Sequence, residues 1–195
     1  MSLKNKSCEP TTSQRVYVFI DAANIWKVFK AKRSLFDYRK LKKFLIKKFN
    51  ASIIKIFYYT AYPAAGTREY DLTAKHNFFT YLKKGLGFTV RKKELKRIWG
   101  ETSEGISLTE KGNMNVEMTI DAIHHLKDYD VALFFTGDSD FLALISYLRK
   151  RGKKVYIFST KNSVAKELRT GNDNYFDLLE IKADIWGKAI RHRPK

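Results

Sequence analysis

Val131-Ala132-Leu133-Phe134-Phe135-Thr136-Gly137-Asp138-Ser139-Asp140-Phe141 is the stretch that decides the fold. Its apolar run is short and bounded by turn residues, as expected of a strand buried on both faces. Gly137, Asp138 and Asp140 then break the run, and an amphipathic pattern from Phe141 predicts a helix that Gly152 closes. Strand, tight acidic turn and helix form the repeating unit of doubly wound α/β proteins. Either Asp138 or Ser139 suits the N-cap of that helix.

The chain carries a near-twin of this junction at its start. Val16-Tyr17-Val18-Phe19-Ile20 runs into Asp21-Ala22-Ala23-Asn24, with a helix expected over Asn24–Lys30. Further strand-like runs lie at Ser52–Tyr59, Phe88–Val90 and Lys154–Phe158. Helical patterns alternate with them. Asp37 reads as the N-cap of a helix whose buried stripe is Leu41, Phe44, Leu45 and Phe49. Thr67–Lys84, with Leu72, Phe79 and Leu82 as core positions, and Asn115–Lys127 are the next two. The β-α-β-α order predicts an α/β fold with a mainly parallel central sheet covered on both faces. Arg91 to Gly112 departs from this rhythm and is expected to be a loop or short hairpin beside the crevice.

No Pro/Gly/Ser-rich linker or internal repeat interrupts residues 15–180, so one domain is expected over 15–181. A flexible polar leader, 1–14, would precede it and a frayed basic tail, 182–195, would follow. The single cysteine, Cys8, cannot form an internal disulfide, which fits a reducing cytoplasm. No apolar run approaches the roughly 20 residues that span a membrane. The outlier is charge: 38 Lys+Arg against 20 Asp+Glu, a formal +18 among 195 residues. Such an excess favours polyanions through counterion release, and nucleic acid is the foremost partner class. The basic helix Arg39–Lys48 keeps an anionic membrane surface as another class.

Strand order in such sheets tends to reverse beside the first strand, and ligands bind in the crevice there. Pairing of the Val131 strand with the Val16 strand would bring Asp21, Asp138 and Asp140 to that switch point. Clustered carboxylates repel unless a cation or a shared proton neutralises them, and Mg2+ or Mn2+ suits oxygen ligands. Capping of the following helices explains each acid equally well when taken singly. Glu117 and Asp121 share one helical face at i, i+4. His124 and His125 are adjacent and face different ways, so no zinc spacing exists here.

With these residues in view, the chain resembles the NYN-domain (LabA-like) family of the PIN-like nuclease superfamily. The matching pieces are Phe19-Ile20-Asp21-Ala22-Ala23-Asn24, Lys111-Gly112-Asn113-Met114-Asn115-Val116 leading to Asp121, Gly137-Asp138-Ser139-Asp140-Phe141, and Leu148 to Val155. The resemblance implies a Rossmann-like PIN-type three-layer sandwich and Mg2+- or Mn2+-dependent RNA cleavage. It places catalytic roles on Asp21, Asn24, Asp121, Asp138 and Asp140, with Asp21, Asp138, Asp140 and Asn115 at the metal. Asp173 aligns loosely with a later acidic position. The Lys-Gly motif is typically followed by aspartate where this chain has Asn115. An amide oxygen ligates a cation without charge, so metal affinity should fall.

The leading expectation is a metal-dependent endoribonuclease. Lys111, Arg91, Lys92, Lys93, Lys96, Arg97 and the stacking candidate Trp99 would hold RNA or another single-stranded nucleic acid. The alternative is an RNA-binding regulatory module whose nuclease centre is weakened at Asn115; a homodimer is compatible with either. A haloacid-dehalogenase-type phosphatase requires a second aspartate where Ala23 stands. Neither a Gly-x-Gly-x-x-Gly after the first strand nor a P-loop is present to bind a nucleotide.

Overall fold

A computed structural model describes residues 13–64, 66–67, 71–102, 105–170, 175–181 and 185–189. The leader 1–12 with Cys8, Asp173 and the basic end 190–195 lie outside the described residues. The chain runs β1 (Gln14–Asp21), α1 (Ala22–Lys32), β2 (Ser34–Phe36), α2 (Tyr38–Phe49), β3 (Ala51–Tyr62) and α3 (Thr73–Thr80). A π-type turn, Tyr81–Gly85, leads to β4 (Thr89–Glu94), β5 (Lys96–Thr102), β6 (Gly105–Lys111), α4 (Asn115–His124) and β7 (Val131–Phe135). The 3-10 turn Ser139–Phe141 then opens α5 (Leu142–Lys150), followed by β8 (Lys154–Ser159), α6 (Lys166–Thr170), β9 (Tyr175–Asp177) and β10 (Trp186–Ala189).

Six strands form one sheet in the order β4-β3-β1-β7-β8-β9, and every neighbouring pair is parallel. β1 lies between its two partners: Val18 is level with Ile56 of β3 on one side and Leu133 of β7 on the other. The chain builds outward through β3 and β4, returns to β7 and continues the opposite way. The reversal falls between β1 and β7, so the acidic ends of both strands share the crevice there.

The period of two along each strand divides the core into two layers. Val16, Val18 and Ile20 join Ile25, Val28, Leu41, Leu45 and Leu82 on the face covered by α1 and α2. Tyr17 and Phe19 join Met118, Ala122, Leu144 and Leu148 on the face covered by α4 and α5. β1 and β7 are apolar on both sides because helices cover both sides. Each large side chain buried there contributes roughly 1.5–3 kcal/mol, so the strand ends that carry the site rest on a well-anchored floor.

Where the structure differs from the sequence reading, local chemistry gives the reason. The helix expected from Thr67 begins at Thr73, because Asp71 Oδ1 accepts from both the Thr73 N–H and its hydroxyl in an Asx-type turn. Arg91-Lys92-Lys93 belong to β4 at the sheet edge, level with Tyr59, Thr60 and Ala61 of β3. Only Lys96 to Lys111 leave the sheet, as the antiparallel β5–β6 hairpin. Beyond Lys182, Trp186–Ala189 pair with β2, and the Asp37 N–H donates to the Ile185 carbonyl.

Candidate functional site

The site is stitched together at the C-terminal ends of β1 and β7. Asp21 ends β1 and caps α1: its Oδ1 accepts the backbone N–H groups of Ala23 at 3.0 Å and Asn24 at 3.3 Å. Its Oδ2 accepts from the Asn24 side-chain amide at 2.8 Å and the Thr136 hydroxyl at 3.3 Å. These contacts fill the acceptor capacity of a carboxylate that is 9% exposed. Asn24 spans the crevice, because its Oδ1 accepts the Gly137 N–H at 3.2 Å. Thr136 forms a second tie, accepting the Asp138 N–H while donating to Asp21.

Asp138 and Asp140 occupy the opposite wall. Asp138 Oδ1 caps the 3-10 turn by accepting the Asp140 N–H at 3.0 Å. The amide nitrogen of Asn115, the first residue of α4, donates to Asp138 Oδ2 at 3.2 Å and Asp140 Oδ2 at 3.0 Å. Capping and clustering, which the sequence offers as rival readings, are therefore combined in Asp138. Among the described residues no three His, Cys, Asp or Glu side chains gather as a metal-holding group. Instead, two carboxylates are bridged by an amide. These donors suit a hard cation: a half-turn of the Asn115 amide would present its oxygen beside two carboxylate oxygens. With two formal charges in place of three, they would hold it weakly.

The structure gives Asp121 other partners. Its carboxylate accepts from the Tyr59 hydroxyl at 2.9 Å and from Arg91 through Nε at 3.0 Å and Nη2 at 2.9 Å. It lies six residues along α4 from Asn115, about 9 Å at the helical rise. Burial, reinforced by the Asp121 charge, pushes the Tyr59 hydroxyl far above its ordinary range, so it remains a donor. The hydrogen bond to Asp121 raises Arg91 further. Lys93 pairs with Glu117 at 2.7 Å. Two cations expected to meet nucleic acid therefore tie β4 to α4.

The other expected nucleic-acid contacts lie on or beside the hairpin. Lys92 sits over the Tyr62 and Phe79 rings at 5.6 and 5.8 Å. Lys96, Arg97 and Trp99 are exposed on β5, Trp99 to 70%. Lys111 ends β6 and leads through Gly112 to Asn115. A Cβ on Gly112 would lie 2.8 Å from Leu95 and 3.1 Å from Ala61, so glycine lets the hairpin base close on β3. The hairpin is thus joined to the site by only a few residues.

A crevice of about 420 Å3 opens beside these acids, lined by Asn24, Lys27, Asp138, Ser139, Asn162 and Ser163 among others. The loop between β8 and α6 forms its far wall and lies directly on Gly137, where an added Cβ would stand 2.2 Å from the Ser163 carbonyl oxygen. The Ala165 N–H donates to the Gly137 carbonyl at 2.9 Å and fixes the contact. Sequence reasoning passes over Lys27, Asn162 and Ser163. Lys27 was legible in principle, being at i+3 from Asn24 on the same helix face. The loop was legible only as the connection following a parallel strand next to β7.

A doubly wound parallel sheet with an acid-and-amide centre at its switch point defines a Rossmann-like α/β protein. The NYN domain sequence model matches residues 15–180, and the chain belongs to the NYN domain family. It is 29% identical over 171 residues to the Low amplitude and bright protein LabA of Synechococcus elongatus, covering 88% of this chain and 87% of that protein. Its fold is similar to the crystal structure of a protein of unknown function from Vibrio parahaemolyticus. That likeness has a TM-score of 0.62 and 23% identity, over 86% of this chain and 94% of the other.

Proposed function

We propose that this protein acts on single-stranded RNA as a divalent-cation-dependent phosphodiesterase with a weakly charged centre. The observation that supports this most is the convergence of Asp138 and Asp140 on Asn115 at the switch point of a +18 protein. Asp138, Asp140 and the Asn115 amide oxygen would hold Mg2+ or Mn2+. When bound, the ion supplies Lewis acidity toward a phosphoryl oxygen and lowers the pKa of water.

The remaining roles fall to the chain itself. Asp21 positions Asn24 and Thr136 through its Oδ2, adding negative charge two hydrogen bonds away from the Asp138 backbone, through the Thr136 hydroxyl. Asn24 orients the scissile phosphate at the crevice mouth. Asp121 anchors α4 against β3 and β4 and so sets where Asn115 stands. Lys111, Lys96 and Arg97 meet the RNA backbone, while Trp99 stacks on an unpaired base.

A second reading, RNA binding without turnover, is favoured by one specific observation: Asp21 is saturated with donors and an amide bridges the remaining acids. A gel assay of single-stranded RNA with Mn2+, run beside a binding titration in EDTA, separates the two. Cleavage supports the phosphodiesterase, binding alone supports the second reading, and the absence of both cleavage and binding overturns both.

A further inference from the structure

The crevice beside the acids has a lining that selects its occupant. Among the described residues that line it are one cation, Lys27, one acid, Asp138, two amides, Asn24 and Asn162, and two hydroxyl-bearing residues, Ser139 and Ser163, and no aromatic side chain. Bases bind single-strand grooves by stacking on aromatic rings, and the described lining of this crevice provides none. Its volume of about 420 Å3 falls within the roughly 300–1,000 Å3 of small-ligand clefts. Amides and hydroxyls both donate and accept, which matches a sugar hydroxyl, and Lys27 matches a phosphate. The wall is a built feature: Gly137 has no side chain, and the β8–α6 loop rests on its backbone.

We infer that this crevice is a ribose–phosphate subsite that distinguishes RNA from DNA. Lys27 holds the phosphate next to the scissile one, and Asn162 holds the 2′-hydroxyl of the intervening ribose. The 2′-hydroxyl is the group by which proteins tell the two polymers apart. Asp138 and Lys27 lie on one crevice, so a strand seated on Lys27 passes the acids. Base stacking falls outside this subsite, on Trp99. The inference rests on the proposal that the protein acts on RNA.

The test is fluorescence anisotropy with labelled eight-nucleotide oligoadenylate, ribo and deoxyribo, on the full chain in EDTA so that no strand is cut. The wild type binds the ribo strand more tightly. Asn162→Ala weakens the ribo strand about fivefold, the worth of one hydrogen bond, and leaves the deoxyribo strand unchanged. Lys27→Gln weakens both and lowers the slope of log affinity against log salt by about 0.7, one phosphate contact on a single strand. Both side chains are exposed, and circular dichroism checks that the variants fold. Equal loss on both strands in Asn162→Ala, an unchanged salt slope in Lys27→Gln, or full competition by adenosine monophosphate at the oligomer's own affinity overturns the subsite. Binding of neither strand by the wild type overturns the RNA reading itself and the subsite with it.

Discussion

Asn115 donates its side-chain amide to Asp140 Oδ2 across 3.0 Å and shares that nitrogen with Asp138 Oδ2 at 3.2 Å. A neutral donor thus holds two carboxylates together where a third carboxylate would drive them apart. Asn115→Asp should therefore destabilise the metal-free protein by about 1–2 kcal/mol, seen as a melting point lower by about 2–8 °C. Added Mn2+ should recover that loss and bind at least about tenfold more tightly than to the wild type, as read by calorimetry. A variant as stable as the wild type in EDTA would show that Asn115 is not the neutralising group.

Arg91 and Asp121 form a two-pronged pair that closes α4 against the sheet, with Asp121 only 7% exposed. Removing the guanidinium leaves that carboxylate with Tyr59 as its remaining named donor. Arg91→Ala should cost about 1–3 kcal/mol in urea unfolding, more than a surface substitution. Asp121→Asn should cost less, because the amide keeps an acceptor for Tyr59. Were Arg91 mainly an RNA contact, stability would stay within about 0.5 kcal/mol while RNA affinity fell.

Gly137 is required by proximity alone. Gly137→Ala should move the β8–α6 loop, because its Cβ would lie 2.2 Å from the Ser163 carbonyl oxygen, and overpacking of this kind costs about 1–3 kcal/mol. Amide exchange should quicken at Ala165, whose N–H bonds Gly137. Unchanged exchange there would mean that the loop does not rest on this turn.

The Arg15 guanidinium holds the Asp130 carboxyl below its ordinary value of 3.8. A lowered folded-state pKa contributes stability above the unfolded pKa that is lost as pH falls through the folded one. Asp130→Asn should then cost up to about 1 kcal/mol at neutral pH, the pair being half exposed. That difference from wild type should stay constant down to about pH 5 and shrink below about pH 4. Urea titrations at several pH values read it directly; a difference that grows with acid would be the wrong sign.

What was legible beforehand follows from which forces are local. Parallel strands covered on both sides must be apolar throughout, so Val16–Ile20 and Val131–Phe135 declare themselves, and Asp21 and Asp138 stand at the helix starts after them. Asp21, Asn24, Asp138, Asp140 and Asn115 were legible because each stands next to such a boundary. Asp121 was not: its pairing with Arg91 and Tyr59 depends on the register of β4 with β3, a tertiary fact. The same holds for Arg91 to Lys93, whose charges suggest a solvated loop although pairing with β3 places them in an edge strand. β10 escaped notice because a four-residue strand among basic residues has no periodicity to detect. The Asn162–Ser163 wall escaped because nothing in its composition marks it; its position after β8 does.

Asp138 offers the most direct test of the whole account. Asp138→Asn keeps the helix-capping oxygen, so the fold should hold, and it removes one of the two charges facing Asn115. The rate of single-stranded RNA cleavage in Mn2+ should fall at least about a hundredfold while RNA affinity in EDTA stays within about threefold, a difference of about 2.7 kcal/mol in the chemical step alone. Cleavage by the variant at the wild-type rate, or no cleavage by the wild type itself, would contradict the claim that Asp138, Asp140 and Asn115 form a phosphodiesterase centre.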